Sequence, residues 1–187
     1  MGYAIAQFFL EQNAFVKLIS GPVNISLSNP NLNIINVNTA QEMYDQCIDN
    51  SHNYDIIIMA AAVADYTPIE IKKEKIKKEN QDNINITLKP TKDILKALGS
   101  TKKEHQILVG FALETDNEKE NAIKKLINKN LDFIVLNSMK DGGAGFGYDT
   151  NKITIIDKNY SELKFNLMSK KDVAKEIGHF IKSKYFI

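Results

Sequence analysis

The sequence contains no arginine, so every permanently basic side chain is a lysine. Any phosphate held by this chain must be met by ammonium groups, backbone N–H groups or a metal ion, never by a bidentate guanidinium fork. Cysteine occurs once, as Cys47, which excludes a disulfide framework and a cysteine-rich metal site. The formal net charge of +1 argues against a dedicated nucleic-acid binder, whose domain is usually strongly basic. No apolar run approaches the length of a membrane span, and no secretory pattern opens the chain. The expectation is a cytoplasmic protein with neither membrane nor nucleic acid as partner. His52, His105 and His179 are far apart, no pair has metal-ligand spacing, and no Ser–His–Asp grouping emerges. Internal repeats and low-complexity linkers are also missing, so the 187 residues read as one domain with a proper core.

What is present alternates between strand and helix. Met1 to about Gln12 has the look of an amphipathic helix, and Phe15–Ser20 and Leu32–Val37 read as strands. Thr39, with Glu42 three residues on, predicts a capped helix to about Asn50 in which Cys47 packs in the core. Four large apolar residues, Ile56 to Met59, predict a strand buried on both faces and hence central in a parallel sheet. Residues 84–88 alternate like a half-exposed strand, and Thr91 and Asp93 begin a short helix ending near Gly99. Strands 106–111 and 131–136 flank a helix over 117–130. Strands 152–157 and 161–166 suggest a hairpin, and Ser169 caps a final helix. The alternation predicts a Rossmann-like, doubly wound, mostly parallel sheet with an antiparallel C-terminal hairpin. Such a sheet normally opens with a strand and a glycine-rich turn. Here the helix comes first, so the expectation is an atypical fold or, preferred, an N-terminally shortened one.

Small residues Ala60–Ala62 followed by Asp65 and Tyr66 stand where ligands bind in open α/β sheets, at a strand's C-terminal end. Asp65 is either a turn-capping residue or a carboxylate for a ribose hydroxyl, a base amine or a metal. Residues 70–79 carry five lysines and three glutamates. This run reads as a solvated face or as a flap bringing an ammonium over a phosphate. The glycine-rich stretch 141–147 lacks a following Lys-Ser/Thr and leads into a strand, so a connecting loop is favoured over a phosphate loop.

Several segments in this order and spacing resemble the phosphopantothenate–cysteine ligase family of coenzyme A biosynthesis. They are Met1–Ala6, Leu18–Val23, Ala60–Tyr66, Glu74–Lys78, Leu88–Leu95, Val109–Thr115, Lys125–Asp132 and Gly145–Lys152. The resemblance covers nearly the whole chain. It implies one CTP-binding ligase domain over 1–187, with a flap about 67–90, and a homodimer. It also implies that an upstream flavin-dependent decarboxylase half, the part that carries FMN, is absent. The implied chemistry has two steps. The carboxylate of 4′-phosphopantothenate attacks the α-phosphate of CTP, giving an acyl-cytidylate and pyrophosphate, and the amine of cysteine then displaces CMP. Mg²⁺ is implied with CTP, without certain protein ligands.

Carried over by motif, the CTP site falls on Met59, Ala60, Ala61, Asp65, Lys75, Thr91, Lys92, Asp93, Ile94, Phe111, Lys125 and Lys129. Lys75 is the implied catalytic flap lysine. Lys125 and Lys129 are four residues apart, so one helix face would present both. Lys92 replaces a proline found in many relatives. The family's first strand and its Asn-x-Ser-Ser-Gly-Lys stretch are not found ahead of Met1. That keeps a second reading open, a truncated, non-catalytic nucleotide-binding or scaffold subunit. A nicotinamide-dependent reductase is disfavoured because no Gly-x-Gly-x-x-Gly opens the fold.

Overall fold

A computed structural model describes residues 1–71, 74–75, 84–114, 116–138 and 147–185. The lysine-rich run and the glycine-rich stretch fall largely outside these residues.

Helix α1 (Gly2–Glu11) turns Ile5, Ala6 and Leu10 inward and leads into β1 (Val16–Ser20), which pairs in parallel with β2 (Leu32–Asn36). Helix α2 (Ala40–Ser51) starts as its sequence dictates. The Thr39 hydroxyl accepts the Glu42 N–H at 3.1 Å, and the Glu42 carboxylate accepts the Asn38 N–H at 2.7 Å. Cys47 is buried on this helix, and burial pushes its thiol up to about 11, which marks a packing residue and not a nucleophile.

The main sheet is built from β3 (Ile56–Met59), β6 (Ile107–Glu114), β7 (Phe133–Ser138), β9 (Ile153–Asp157) and β10 (Glu162–Lys164). Its order is β10-β9-β7-β6-β3. The ladder runs parallel from β3 through β6 to β7, then antiparallel to β9 and β10. The antiparallel C-terminal hairpin and the mostly parallel sheet are thus as the sequence predicts. Two small antiparallel pairs join β4 (Tyr66–Pro68) to β5 (Leu88–Pro90) and β8 (Thr150–Asn151) to β11 (Met168–Ser169).

Helices cover both faces. On one face Leu108, Ile134 and Leu136 meet α2, α3 (Ile94–Thr101) and α4 (Glu118–Asn128) through Met43, Leu98 and Leu126. On the other, Val109, Phe133 and Ile155 meet α1 and α5 (Lys170–Tyr185) through Ile5, Val173 and Ile177. The side chains of Phe133, Ile134, Ile155 and Ile177 are fully buried, each stabilising by about 1.5–3 kcal/mol over exposure. No helix is long and apolar enough to cross a membrane among the described residues.

Strand β3 departs from expectation. It lies at an edge of the main sheet and is half-buried, while β6 and β7 are the deeply buried strands. Its side chains do reach both faces, Ile57 and Met59 into one cluster and Ile56 and Ile58 into the other. Its second backbone edge makes no ladder among the described residues. Strands β1 and β2 form a separate ladder, yet Ile19 and Ile35 pack into the same cluster as Ile57. Two more corrections are local. Residues 84–87 are exposed coil, because the ribbon partner of Tyr66–Pro68 is Leu88–Pro90. Strand β6 runs on to Glu114, because β7 pairs with it as far as Ser138.

Helices α3 and α4 approach at Gly99, where a methyl group would overlap the Lys129 carbonyl, backbone against side chain. Gly99→Ala should destabilise the fold by about 1–3 kcal/mol in urea unfolding, as overpacking of a rigid contact does. Gly2→Ala, where nothing lies within 4 Å of the added methyl, serves as the near-neutral control.

Candidate active site

The loop leaving β3 and the start of α3 are stitched together by Thr91. Its hydroxyl donates to the Ala64 carbonyl at 2.7 Å, and its N–H donates to the Asp65 carbonyl at 2.9 Å. Asp65 is exposed at this junction, with its carboxylate open to solvent. Two residues after Thr91, Asp93 caps α3 by accepting the Lys96 N–H at 2.9 Å. The same carboxylate receives the Lys129 ammonium at 2.9 Å.

Lys125 enters from α4 and donates to the Phe111 carbonyl at 3.3 Å. Burial lowers its pKa, and so does the neighbouring Lys129, while Glu114, Asp93 and Asp65 push the other way. Asp93 is the mirror case. Burial would raise its pKa, but the Lys96 N–H, Lys129 and Lys125 outweigh it and hold the carboxyl below the usual range. Three carboxylates and two ammonium groups therefore converge beside the C-terminal ends of β3 and β6.

The structure brings together Asp65, Thr91, Asp93, Phe111, Lys125 and Lys129 of the expected site. Met59 lies in register with Gly110, next to Phe111. Other expected residues serve differently. Ile94 is buried in the core and anchors α3. The Phe111 ring packs on the α1–α5 face, and its carbonyl alone meets Lys125. Ala60 packs beside that same cluster, whereas Ala61 is exposed. Lys129 stands at the C-cap of α4, and its N–H still closes the helical bond to the Lys125 carbonyl at 3.1 Å, so the two lysines lie one turn apart. The Lys92 ammonium sits 4.6 Å from the Tyr44 ring centroid, a cation–π contact onto α2 that fixes the otherwise exposed turn. Lys75 is exposed, and among the described residues nothing ties it to the group. Glu114 and Asn121, whose amide reaches Glu114 Oε2 at 3.4 Å, were not singled out in the sequence reading, although Glu114 lies inside the quoted segment Val109–Thr115.

Among the described residues no group of three or more His, Cys, Asp or Glu could hold a metal ion. Two shallow cavities, about 230 and 200 Å³, lie elsewhere, one beneath α4 around Lys102 and Tyr160, the other around Phe15 and Tyr54. Neither includes a candidate site residue. His52, His105 and His179 are exposed, and His179 meets Phe8 edge-to-face with 5.8 Å between centroids.

Residues 1–185 match the family described as the DNA/pantothenate metabolism flavoprotein C-terminal domain. The chain belongs to this family. It is 46% identical over 177 residues to the coenzyme A biosynthesis bifunctional protein CoaBC of Bacillus subtilis, covering 95% of this chain and 43% of that protein. It is 49% identical over 177 residues to a cysteine/cysteine sulfinic acid decarboxylase from an unknown prokaryotic organism, covering 95% of this chain and 49% of that protein. A crystal structure of the C-terminal domain of a CoaBC protein shares the fold at a TM-score of 0.78 with 39% identity, covering 97% of this chain and 82% of that one. This family member therefore spans about half the length of the curated relatives it matches.

The Asp93–Lys129 pair makes a pH prediction. A carboxyl held below its unfolded value near 3.8 adds stability that is fully present above that value and is lost as pH falls through the folded one. Asp93→Asn keeps a good helix cap and deletes the charge. Its stability deficit in urea unfolding should be measurable at pH 7 and should shrink towards zero below about pH 4. A deficit that persists undiminished in acid would show that the ion pair contributes nothing.

Proposed function

We propose that this domain acts in coenzyme A biosynthesis as a CTP-dependent ligase joining 4′-phosphopantothenate to cysteine. The observation that carries the reading is the junction at Thr91–Asp93, where a strand-end loop, a helix start and two lysines meet in a family whose relatives include CoaBC proteins. A carboxylate is a poor electrophile until one of its oxygens becomes a good leaving group. In the first step a carboxylate oxygen of 4′-phosphopantothenate bonds to the α-phosphorus and pyrophosphate departs. In the second the cysteine amine bonds to the acyl carbon, CMP departs, and the amine gives up a proton.

This chain's residues would serve those steps by binding and charge balance. Lys125 is a half-buried ammonium with no carboxylate in contact among the described residues, so a phosphoryl oxygen can take its free donors. Lys129 would hold α3 in place through Asp93. Asp65 presents an open carboxylate for a sugar hydroxyl, a base amine or a metal. Mg²⁺ fits here as an ion that arrives with the triphosphate, held by phosphate oxygens and at most one or two carboxylates, and it would offset phosphate charge. Lys75 lies on the segment that would close over the phosphates. A homodimer is in keeping with the apolar surface at the β4–β5 ribbon, where Tyr66 and Leu88, and Ile86 in the coil just before β5, are all more than half exposed.

Calorimetry with CTP, ATP and Mg²⁺ tests the reading. CTP should bind tighter than ATP, and Lys125→Met should weaken CTP by about tenfold or more, as loss of a charge-assisted contact does. Equal or tighter binding of ATP would count against the assignment. Lys75→Gln should slow pyrophosphate release at saturating CTP while leaving the melting temperature unchanged. An early melt would recast Lys75 as structural.

A further inference from the structure

Lys125 and Lys129 carry the same charge four residues apart, but the structure treats them differently. Lys129 is neutralised in contact, with Asp93 oxygens at 2.9 and 3.2 Å. Among the described residues Lys125 has no carboxylate within ion-pair distance, and the one hydrogen bond it makes there goes to a neutral carbonyl. An ammonium has three donors, so two are left over. Partial burial of such a group is costly unless a counter-charge stands nearby.

Glu114 is that counter-charge. It occupies the last position of β6, three residues past Phe111, whose carbonyl holds Lys125. Its charge, like those of Asp93 and Asp65, opposes the desolvation that lowers the Lys125 pKa. Asn121 lies one helical turn before Lys125 on α4, so the two side chains share a face. The Asn121 amide donates to Glu114 Oε2 at 3.4 Å and to the Asp116 carbonyl at 3.0 Å. The amide occupies the carboxylate from one side, and Lys125 stays out of contact with it. The charged groups facing Lys125 are thus Lys129 from the end of α4, Glu114 from β6, Asp93 from the start of α3 and Asp65 from the loop after β3.

We propose that Glu114 is a positioning residue of the nucleotide site: held by Asn121, it balances the Lys125 ammonium from beyond contact distance and leaves that ammonium's free donors for a phosphoryl oxygen. The identity of the anion rests on the nucleotide reading above; the hold of Glu114 on Lys125 does not. Had Glu114 been in contact, as Asp93 is with Lys129, an incoming phosphate would first have to break an ion pair. Asp93 makes α4 a clip for α3, and Glu114 makes Lys125 available.

Two measurements on the whole chain test this separately. In the first, the lysine side chains are labelled with ¹³C, the Lys125 signal is identified by its loss in Lys125→Arg, and pH is raised without ligand. Glu114→Gln should let Lys125 deprotonate at lower pH than in the wild type. Glu114→Asp, which keeps the charge, should shift it less, and it replaces the Gln variant if that variant melts early. Asn121→Ala should move the titration the opposite way, because the released carboxylate can close onto the ammonium. A Lys125 titration unmoved in a natively folded Glu114→Gln overturns the proposal. In the second, CTP affinity is compared at pH 7 and pH 9. Glu114→Gln should lose about threefold more affinity than the wild type over that interval, and Lys125→Arg in the same background should abolish the extra loss. A shifted titration with no CTP binding by any form, the wild type included, supports the hold of Glu114 on Lys125 and overturns the nucleotide reading.

Discussion

Everything at the candidate site depends on how closely α3 can approach the end of α4. Gly99 permits the approach by presenting no side chain to the Lys129 carbonyl, and the Asn130 amide donates to the Gly99 carbonyl at 2.9 Å from the other side. Asn130 itself is in the left-handed region, at φ 50°, which a short polar side chain tolerates better than most. This backbone seam sets where Asp93 stands at the top of α3 and lets Lys129 reach it. Because Thr91 binds the loop after β3, the seam also fixes Asp65. One close contact, made by the backbone of Lys129 itself, thus places three residues of the site.

The second constraint is the want of arginine. A guanidinium satisfies a phosphate bidentately and stays charged at any pH a protein meets. Lysines offer point charges that can be desolvated and lowered in pKa, so each needs a counter-charge placed with care. The chain meets this need in two ways within one turn of helix, by contact at Lys129 and at a distance at Lys125. A comparable arrangement at the far end of the sheet is structural. There the Lys102 ammonium pairs with Asp132 at 2.7 Å, and Asp132 also accepts the Leu108 N–H at 2.8 Å, locking β7 to β6. Half-buried Lys102 and Lys129 serve architecture through the carboxylate that touches each, and Lys17 through the Asn50 amide oxygen, whereas Lys125 rests on a neutral carbonyl among the described residues.

Much of the architecture was legible because the signals were local. The Thr39–Glu42 cap, the Asp93 cap and the apolar periods of the helices need only neighbouring residues to express themselves. The place of β3 was not legible. Four apolar residues report apolar neighbours on both faces, which β3 has although it is only half-buried, but they say nothing about how many backbone edges find partners. The half-exposed strand expected over 84–88 lies instead at Leu88–Pro90, because its pairing is decided by Tyr66–Pro68 on the other side of a long connection. At the site, residue types were readable and orientations were not. Ile94 and Phe111 turn their side chains to the apolar clusters, an orientation that no local pattern encodes.

The central claim is that Lys125 meets the nucleotide while Lys129 stays with Asp93. A crystal structure of the chain with CTP and Mg²⁺ addresses it most directly. The account predicts a phosphate oxygen within hydrogen-bond distance of Lys125 Nζ, with the Asp93–Lys129 pair and the Thr91 contacts to Ala64 and Asp65 intact. A nucleotide bound away from the Thr91–Asp93 junction, or a phosphate that takes Lys129 from Asp93 and leaves Lys125 on the Phe111 carbonyl, would contradict it.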